Sequence, residues 1–245
     1  MIDVENQNGQ WRVTLNRPDK ANALSPDMLR DVAAAARKAH ADPELRSFVL
    51  TGAGERVFCA GADVGGGEDM YAFTRSPLWS DASGAIAALP CLTIAALNGT
   101  LAGGGFALAL ACDLRITTPD ARFFYPVLKR GFLPQPDDVK RLAALIGTAR
   151  AKLILMGGQK LDAAEALKIG LVERVLPLAE FDSLLASLTG DAAAAKPQSI
   201  AAINRLFDDP DAAELQDCYK AAYEDDPAAI ARITSRPQDA ETETV

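Results

Sequence analysis

Three consecutive glycines, Gly103-Gly104-Gly105, separate the apolar run CLTIAAL (91–97) from the apolar stretch FALALAC (106–112). A strand that passes through glycine into a buried helix presents main-chain N–H groups that no helical hydrogen bond uses, at the positive end of the helix dipole. An anion, or an oxygen that becomes anionic during a reaction, is stabilised there. The same triplet also serves simply to let a helix pack closely on a strand. Neither G-x-G-x-x-G nor G-x-x-x-x-G-K-[ST] can be written through it, so it is not a dinucleotide or P-loop fingerprint. A second glycine-rich stretch, GERVFCAGADVGGGED (54–69), marks a loop where the backbone turns sharply or approaches something closely.

The other reactive residue types narrow the chemistry by their scarcity. The single histidine, His40, leaves no His-ligated metal centre, and any Ser–His or Cys–His pair has to use it. His40 closes the helical run AAAARKAHADPE just before Asp42-Pro43, where a cation suits a helix C-terminus. Cys59, Cys91, Cys112 and Cys218 show no C-x-x-C spacing, so buried free thiols are expected rather than a zinc site or a disulfide framework. Lys+Arg number 25 against Asp+Glu 33, a net charge of -8, which argues against nucleic acid or an anionic membrane surface as partner. The N-terminus, MIDVENQNGQW, carries no export signal, so a cytoplasmic protein is expected. The uncharged stretch from Ala82 to Cys112 is long enough to span a bilayer, but Pro90, Asn98, Gly99 and the triplet divide it into shorter pieces.

These residues must be held by elements that the patterning predicts. MIDVEN and QWRVTLN flank Asn8-Gly9, a hairpin signal. Ser25-Pro26-Asp27 opens a helix with Met28, Leu29, Val32, Ala33, Ala36 and Ala39 on one face. RSFVLTG (46–52) reads as a buried strand, and 68–89 as helix broken near Pro77. CLTIAAL is a strand, NGTLAGGG a loop and FALALAC a short buried helix. DLRITT and ARFFY are strands, followed by the loop PVLKRGFLPQP. Helices are expected over 137–147, 148–156 and 162–168, then a strand LVERVLP, then helices near 178–195, 197–207, 211–224 and 227–234. The tail RPQDAETETV is acidic and expected to be disordered. Strands alternating with helices, then helices alone, give an α/β class.

Taken together, FCAGAD (58–63), AALNGTLAGGGFALALACDLRI (95–116), ARFFYPVLKRGFLP (121–134) and GLVERVLP (170–177) resemble the enoyl-CoA hydratase/isomerase (crotonase) family. VTLNRPDKANALS (13–25) and KLDAAEALKIGLV (160–172) fit the same pattern, so the resemblance runs from about residue 2 to 236. It implies a spiral of β-β-α units with a C-terminal helical region: an α/β core over 1–190, the helical region over 191–236, and the tail over 237–245. It also implies a homotrimer or dimer of trimers, and an acyl-CoA thioester as substrate, with coenzyme A as its carrier and no prosthetic group. The thioester carbonyl would sit between the backbone N–H groups of Ala62 and Gly104. Lys20, Ala21, Ala23, Leu24, Ala60, Gly61, Asp63, Gly103 and Val127 would line the binding site. Lys20, with Arg236 from the C-terminal region, would meet the phosphates.

The sequence departs from the family at the positions that carry the hydratases' two glutamates, which here are Ala107 and Val127. Neither side chain activates water or moves a proton, so ordinary enoyl-CoA hydration is not expected. The resemblance implies that double-bond isomerases keep the second glutamate, so Val127 counts against that reaction as well. Decarboxylation, C–C hydrolysis or an isomerisation with a relocated acid, each of which needs a stabilised enolate, fits better. The polar candidates nearby are Gln135, Asp137 and Asp138, with Glu68, Asp69 and Tyr71 in the preceding variable loop and Tyr125 on a strand that allows either face. Asp137 and Asp138 also read as first-turn acids of a helix after Pro136, and Asp113 as an anchor between element ends. Two rival readings are an acyl-CoA-binding protein that has lost its catalytic acids and a subunit whose assembly surfaces matter more than its pocket.

Overall fold

The computed structural model describes residues 1–63 and 70–208. The expected helices at 211–224 and 227–234, the tail, Cys218, Arg236, Glu68 and Asp69 lie outside the described residues.

The chain opens with the expected hairpin. Strands β1 (Ile2–Gln7) and β2 (Gln10–Leu15) pair antiparallel, with Val4 opposite Val13. Asn8 and Gly9 both take positive φ (54° and 79°), the backbone that a two-residue turn matched to strand twist requires. Helix α1 (Pro26–His40) begins at Ser25, whose Oγ accepts the Met28 N–H at 3.2 Å. Its predicted apolar face is buried, joined by Ala35, and exposed His40 closes it.

The strands then alternate between two sheets. β3 (Ser47–Gly52), β5 (Leu92–Leu97) and β7 (Leu114–Thr117) run parallel in a six-stranded sheet of order β1-β2-β3-β5-β7-β10, β10 being Arg174–Val175. The strand that follows each, β4 (Val57–Cys59), β6 (Thr100–Ala102) or β8 (Arg122–Phe124), joins a second sheet of order β4-β6-β8-β9, with β9 at Leu161–Asp162. Each strand pair is followed by helix: α2 (Met70–Thr74) and α3 (Leu78–Ala87), then α4 (Gly105–Ala109), then α5 (Pro136–Ile146). The chain therefore repeats a β-β-α unit three times. Phe48, Phe58, Phe106 and Phe123 fill the core, fully buried.

The second sheet corrects the reading of NGTLAGGG as loop throughout, since Thr100–Ala102 pairs with strands on both sides. Three residues are too few to show period-two alternation, and long-range pairing rather than local pattern makes them a strand. For the same reason only Arg174–Val175 of LVERVLP pairs. Helices α6 (Thr148–Leu155), α7 (Ala163–Lys168), α8 (Phe181–Ala194) and α9 (Pro197–Asp208) complete the described chain.

Buried polar side chains tie the loops together. Asn22 takes φ 53° and is fully buried; its Nδ2 donates to the carbonyls of Ala53 and Val57 at 3.0 Å each, and its Oδ1 accepts the Arg17 N–H at 2.9 Å. Asn98 accepts the Gly52 N–H at 3.1 Å and donates to Gly54 O at 2.7 Å. Asp113 accepts both the backbone N–H and the hydroxyl of Thr93, each at 2.8 Å, which makes it the structural anchor expected.

Candidate active site

The two glycine-rich loops come together at one cavity of about 360 Å³. On one side, residues 21–24 are laced to 60–63. Ala60 N–H donates to Ala21 O (3.0 Å), Leu24 N–H to Gly61 O (2.7 Å), and Asp63 N–H to Leu24 O (2.8 Å). Leu24 thus bonds to both neighbours of Ala62, as in a parallel bridge, and the N–H of Ala62 itself is turned to the other side. Gly61 makes this possible with φ 97°.

On the other side, Gly103 N–H donates to Phe124 O at 3.0 Å and Gly103 takes φ 51°. Gly104 follows as the residue capping α4. A side chain on Gly61 would meet Gly104 N at 3.1 Å, and one on Gly104 would strike the Trp79 ring at 2.6 Å. The glycines are therefore what bring the two loops into contact. Neither the Ala62 nor the Gly104 N–H has an acceptor among the described residues, and both residues line the cavity. Helix α4 has only five residues, so its dipole is small and the direction of the amides matters more than the helix behind them.

Most of the residues expected at the site line this cavity: Lys20, Ala23, Ala60, Gly61, Ala62, Asp63, Gly103, Gly104, Val127 and Gln135. Ala21 and Leu24 stand behind it, Ala21 lining a second hollow and Leu24 fully buried. Asp137 is not brought to it. Asp63 is held by Arg17 in an ion pair at 2.6 Å, both side chains mostly covered. Gln135 is committed as a donor to the carbonyl of Thr74. Tyr71 is exposed and packs edge-on against Phe132, its ring centre 5.7 Å away. Ala107 is wholly buried within α4, and Val127 presents its apolar side chain to the cavity.

Sequence reasoning missed Trp79, Phe132, Leu133 and Arg130 as lining residues. Trp79 carries no local signal, because its place follows from how α3 packs on α4; its Nε1 donates to Phe73 O at 2.9 Å. Tyr125, expected on a strand, falls just past the end of β8, and its direction is fixed: it lines the cavity, stacks on Phe106 with ring centres 5.4 Å apart, and donates through Oη to Asp138 Oδ2 at 2.8 Å.

Asp138 is not the solvated first-turn acid that its position after Pro136 suggests. It is 1% exposed, because the amphipathic face of α5 turns it inward. Burial pushes its carboxyl up to about 6, against the opposing pull of the Tyr125 hydrogen bond and the Arg141 charge. Burial raises the Tyr125 hydroxyl strongly too, and the Asp138 charge adds to it. The thiols of Cys59, Cys91 and Cys112 are buried and raised by desolvation, Cys59 and Cys112 to about 12. Among the described residues no cluster of His, Cys, Asp or Glu is placed to hold a metal ion, and no helix is long and apolar enough to cross a membrane.

Comparison with known proteins agrees with this architecture. A sequence profile described as enoyl-CoA hydratase/isomerase matches residues 5–224. The "Probable enoyl-CoA hydratase echA6" of Mycobacterium leprae is 34% identical over 97% of this chain and 98% of its own. The crystal structure of an enoyl-CoA hydratase/carnithine racemase from Magnetospirillum magneticum superposes with a TM-score of 0.83 at 30% identity, covering 96% of this chain and 94% of that one. An enoyl-CoA hydratase structure from Bacillus anthracis gives 0.79 at 30% identity, over 91% and 89% of the two chains. With its alternating strands, its two glycine loops and these matches along nearly its whole length, the chain belongs to the enoyl-CoA hydratase/isomerase family and has the crotonase fold.

Proposed function

We propose that this protein binds an acyl-CoA thioester, stabilises its enolate between the N–H groups of Ala62 and Gly104, and catalyses a reaction other than hydration. The observation that carries this reading is the pair of backbone amides without an acceptor among the described residues, both at one largely apolar cavity. A thioester oxygen seated between them gains negative charge as a bond at the α-carbon breaks, and both hydrogen bonds strengthen as it does so. Each preorganised donor lowers the barrier by about 3–4 kcal/mol.

Hydration of an enoyl thioester also needs groups that activate water and protonate the α-carbon. The alanine and valine at 107 and 127 do neither, which favours decarboxylation, C–C hydrolysis or an isomerisation whose acid has been relocated. The carrier is coenzyme A, its adenine against Ala21–Leu24 and Ala60–Asp63 and its phosphates near Lys20. The assembly we propose is the homotrimer or dimer of trimers that the family resemblance implies, working in the cytoplasm.

Calorimetry with a short-chain acyl-CoA, followed by turnover assays on crotonyl, malonyl-type and β-keto thioesters, tests the proposal. Binding is expected, with isomerisation of an enoyl thioester or turnover in one of the last two classes, and no hydration of crotonyl-CoA. Gly104→Pro removes one donor outright and should abolish that turnover. Absence of binding defeats the reading. Binding without turnover in any class would leave an acyl-CoA-binding protein, and hydration of crotonyl-CoA at ordinary rates would refute the argument from Ala107 and Val127.

A further inference from the structure

The cavity lacks carboxylates at the two positions where hydratases carry them, yet a carboxylate stands immediately behind its wall. Asp138 reaches the site through the hydroxyl of Tyr125, 2.8 Å away. Tyr125 lines the cavity beside Val127 and Gln135, and its ring is fixed by stacking on Phe106. The other carboxylate oxygen, Asp138 Oδ1, is buried without a hydrogen-bond partner, as is Arg141 Nη1 one turn further along α5. A buried carboxylate supported at only one oxygen holds its charge poorly and accepts a proton readily. The remaining ionisable lining residues serve less well, since Asp63 is neutralised by Arg17 and Lys20 and Arg130 are surface cations.

We propose that Tyr125 and Asp138 form a proton relay acting on the α-carbon of the bound thioester, a proposal that rests on the acyl-CoA reading above. In the forward step the α C–H bond breaks and its proton goes to Tyr125 Oη. The proton already on that oxygen passes to the Asp138 carboxylate. The electron pair of the C–H bond moves into the enolate, whose oxygen is held by the Ala62 and Gly104 N–H groups. The reverse step returns a proton to the α-carbon, and the tyrosine carries no net charge at either end. Tyr125 is then the catalytic residue that touches substrate, and Asp138 the reservoir behind it. The strongly raised tyrosine suits this role, because it conducts a proton without ionising. The ionisable groups bearing on Asp138 are Tyr125 from the segment after β8 and Asp137 and Arg141 from α5 itself.

Exchange of the α-hydrogens of butyryl-CoA with D2O, followed by mass spectrometry, reads this relay whatever the physiological acyl group. The full-length protein should catalyse the exchange, with a rate that climbs tenfold per pH unit and levels off above about pH 6, where Asp138 is ionised. Tyr125→Phe and Asp138→Asn should each lose about 100-fold or more of it, the scale of general acid–base catalysis. Both should still bind butyryl-CoA by calorimetry and melt cooperatively, and Asp138→Asn, which keeps shape, stands as the second test if Tyr125→Phe folds poorly. Wild-type binding without exchange, or exchange undiminished in either folded variant, overturns the relay and leaves the acyl-CoA reading standing. Failure of the wild type to bind butyryl-CoA overturns both.

Discussion

Gly104 does two independent things, offering an amide and leaving room for a ring, and they can be separated by experiment. Its N–H faces the cavity, and its Cα is pressed against Trp79 so closely that a methyl group would lie 2.6 Å from two ring carbons. The indole has little room to retreat, since Nε1 donates to Phe73 O and the ring packs against Phe73 with centres 5.2 Å apart. Gly104→Ala keeps the amide but overpacks this contact. It should cost about 1–3 kcal/mol in urea denaturation and weaken acyl-CoA binding while retaining measurable turnover, unlike Gly104→Pro. Unchanged stability would mean that α3 yields to the added methyl.

At the scale of elements, Arg115 is the principal tie between β7 and the strand-poor second half of the chain. It is 3% exposed, donates through Nε to Leu171 O (2.9 Å) and through Nη1 to Cys112 O (2.8 Å), and pairs through Nη2 with Glu173 Oε1 at 2.8 Å. Arg115→Met fills the volume but leaves the carbonyls of Leu171, Cys112 and Asp113 without this donor and the Glu173 carboxylate with only the main-chain N–H of residue 115. A loss of about 3 kcal/mol is expected on thermal or urea unfolding, and a loss under 1 kcal/mol would show that water replaces the guanidinium. The elements that the sequence makes plain are those whose signals are local: the hairpin at Asn8-Gly9, α1 with its Ser25 cap, and the buried run of β5. The second sheet is not legible in the same way. Its strands are two or three residues long, and only partners more than twenty residues away make them strands. The site divides similarly. Its backbone loops announce themselves through glycine, whereas Trp79 enters by helix packing and the inward turn of Asp138 depends on which face of α5 meets the core.

At the scale of the whole molecule, Asp138 ties stability to pH. Its folded carboxyl holds a proton up to about pH 6, against about 4 in an unfolded chain. Between those values the folded state binds the additional proton, so this group's contribution to stability is greatest below about pH 4. It falls as pH rises through about 6 and is flat beyond that. At neutral pH the buried charge costs the fold about 2–3 kcal/mol, which Asp138→Asn removes. Urea unfolding of the two proteins should show the variant gaining on wild type by about that amount between pH 4 and pH 7. A difference that stays constant with pH would place the ionisation elsewhere. The same carboxyl therefore trades stability for a proton held close to neutral pH.

The bridge in which Leu24 bonds to both neighbours of Ala62 has an evolutionary consequence. Because the outward amide belongs to the main chain, replacing the side chain at 62 does not delete it, and proline is the one natural residue that does. Sequence drift can therefore rewrite the side chains around the cavity while this outward amide survives intact. On the acyl-CoA reading proposed above, a lineage built this way can abandon one reaction and acquire another without passing through a form that has lost its grip on the thioester. Its chemistry is recorded in the replaceable side chains and its ancestry in the backbone.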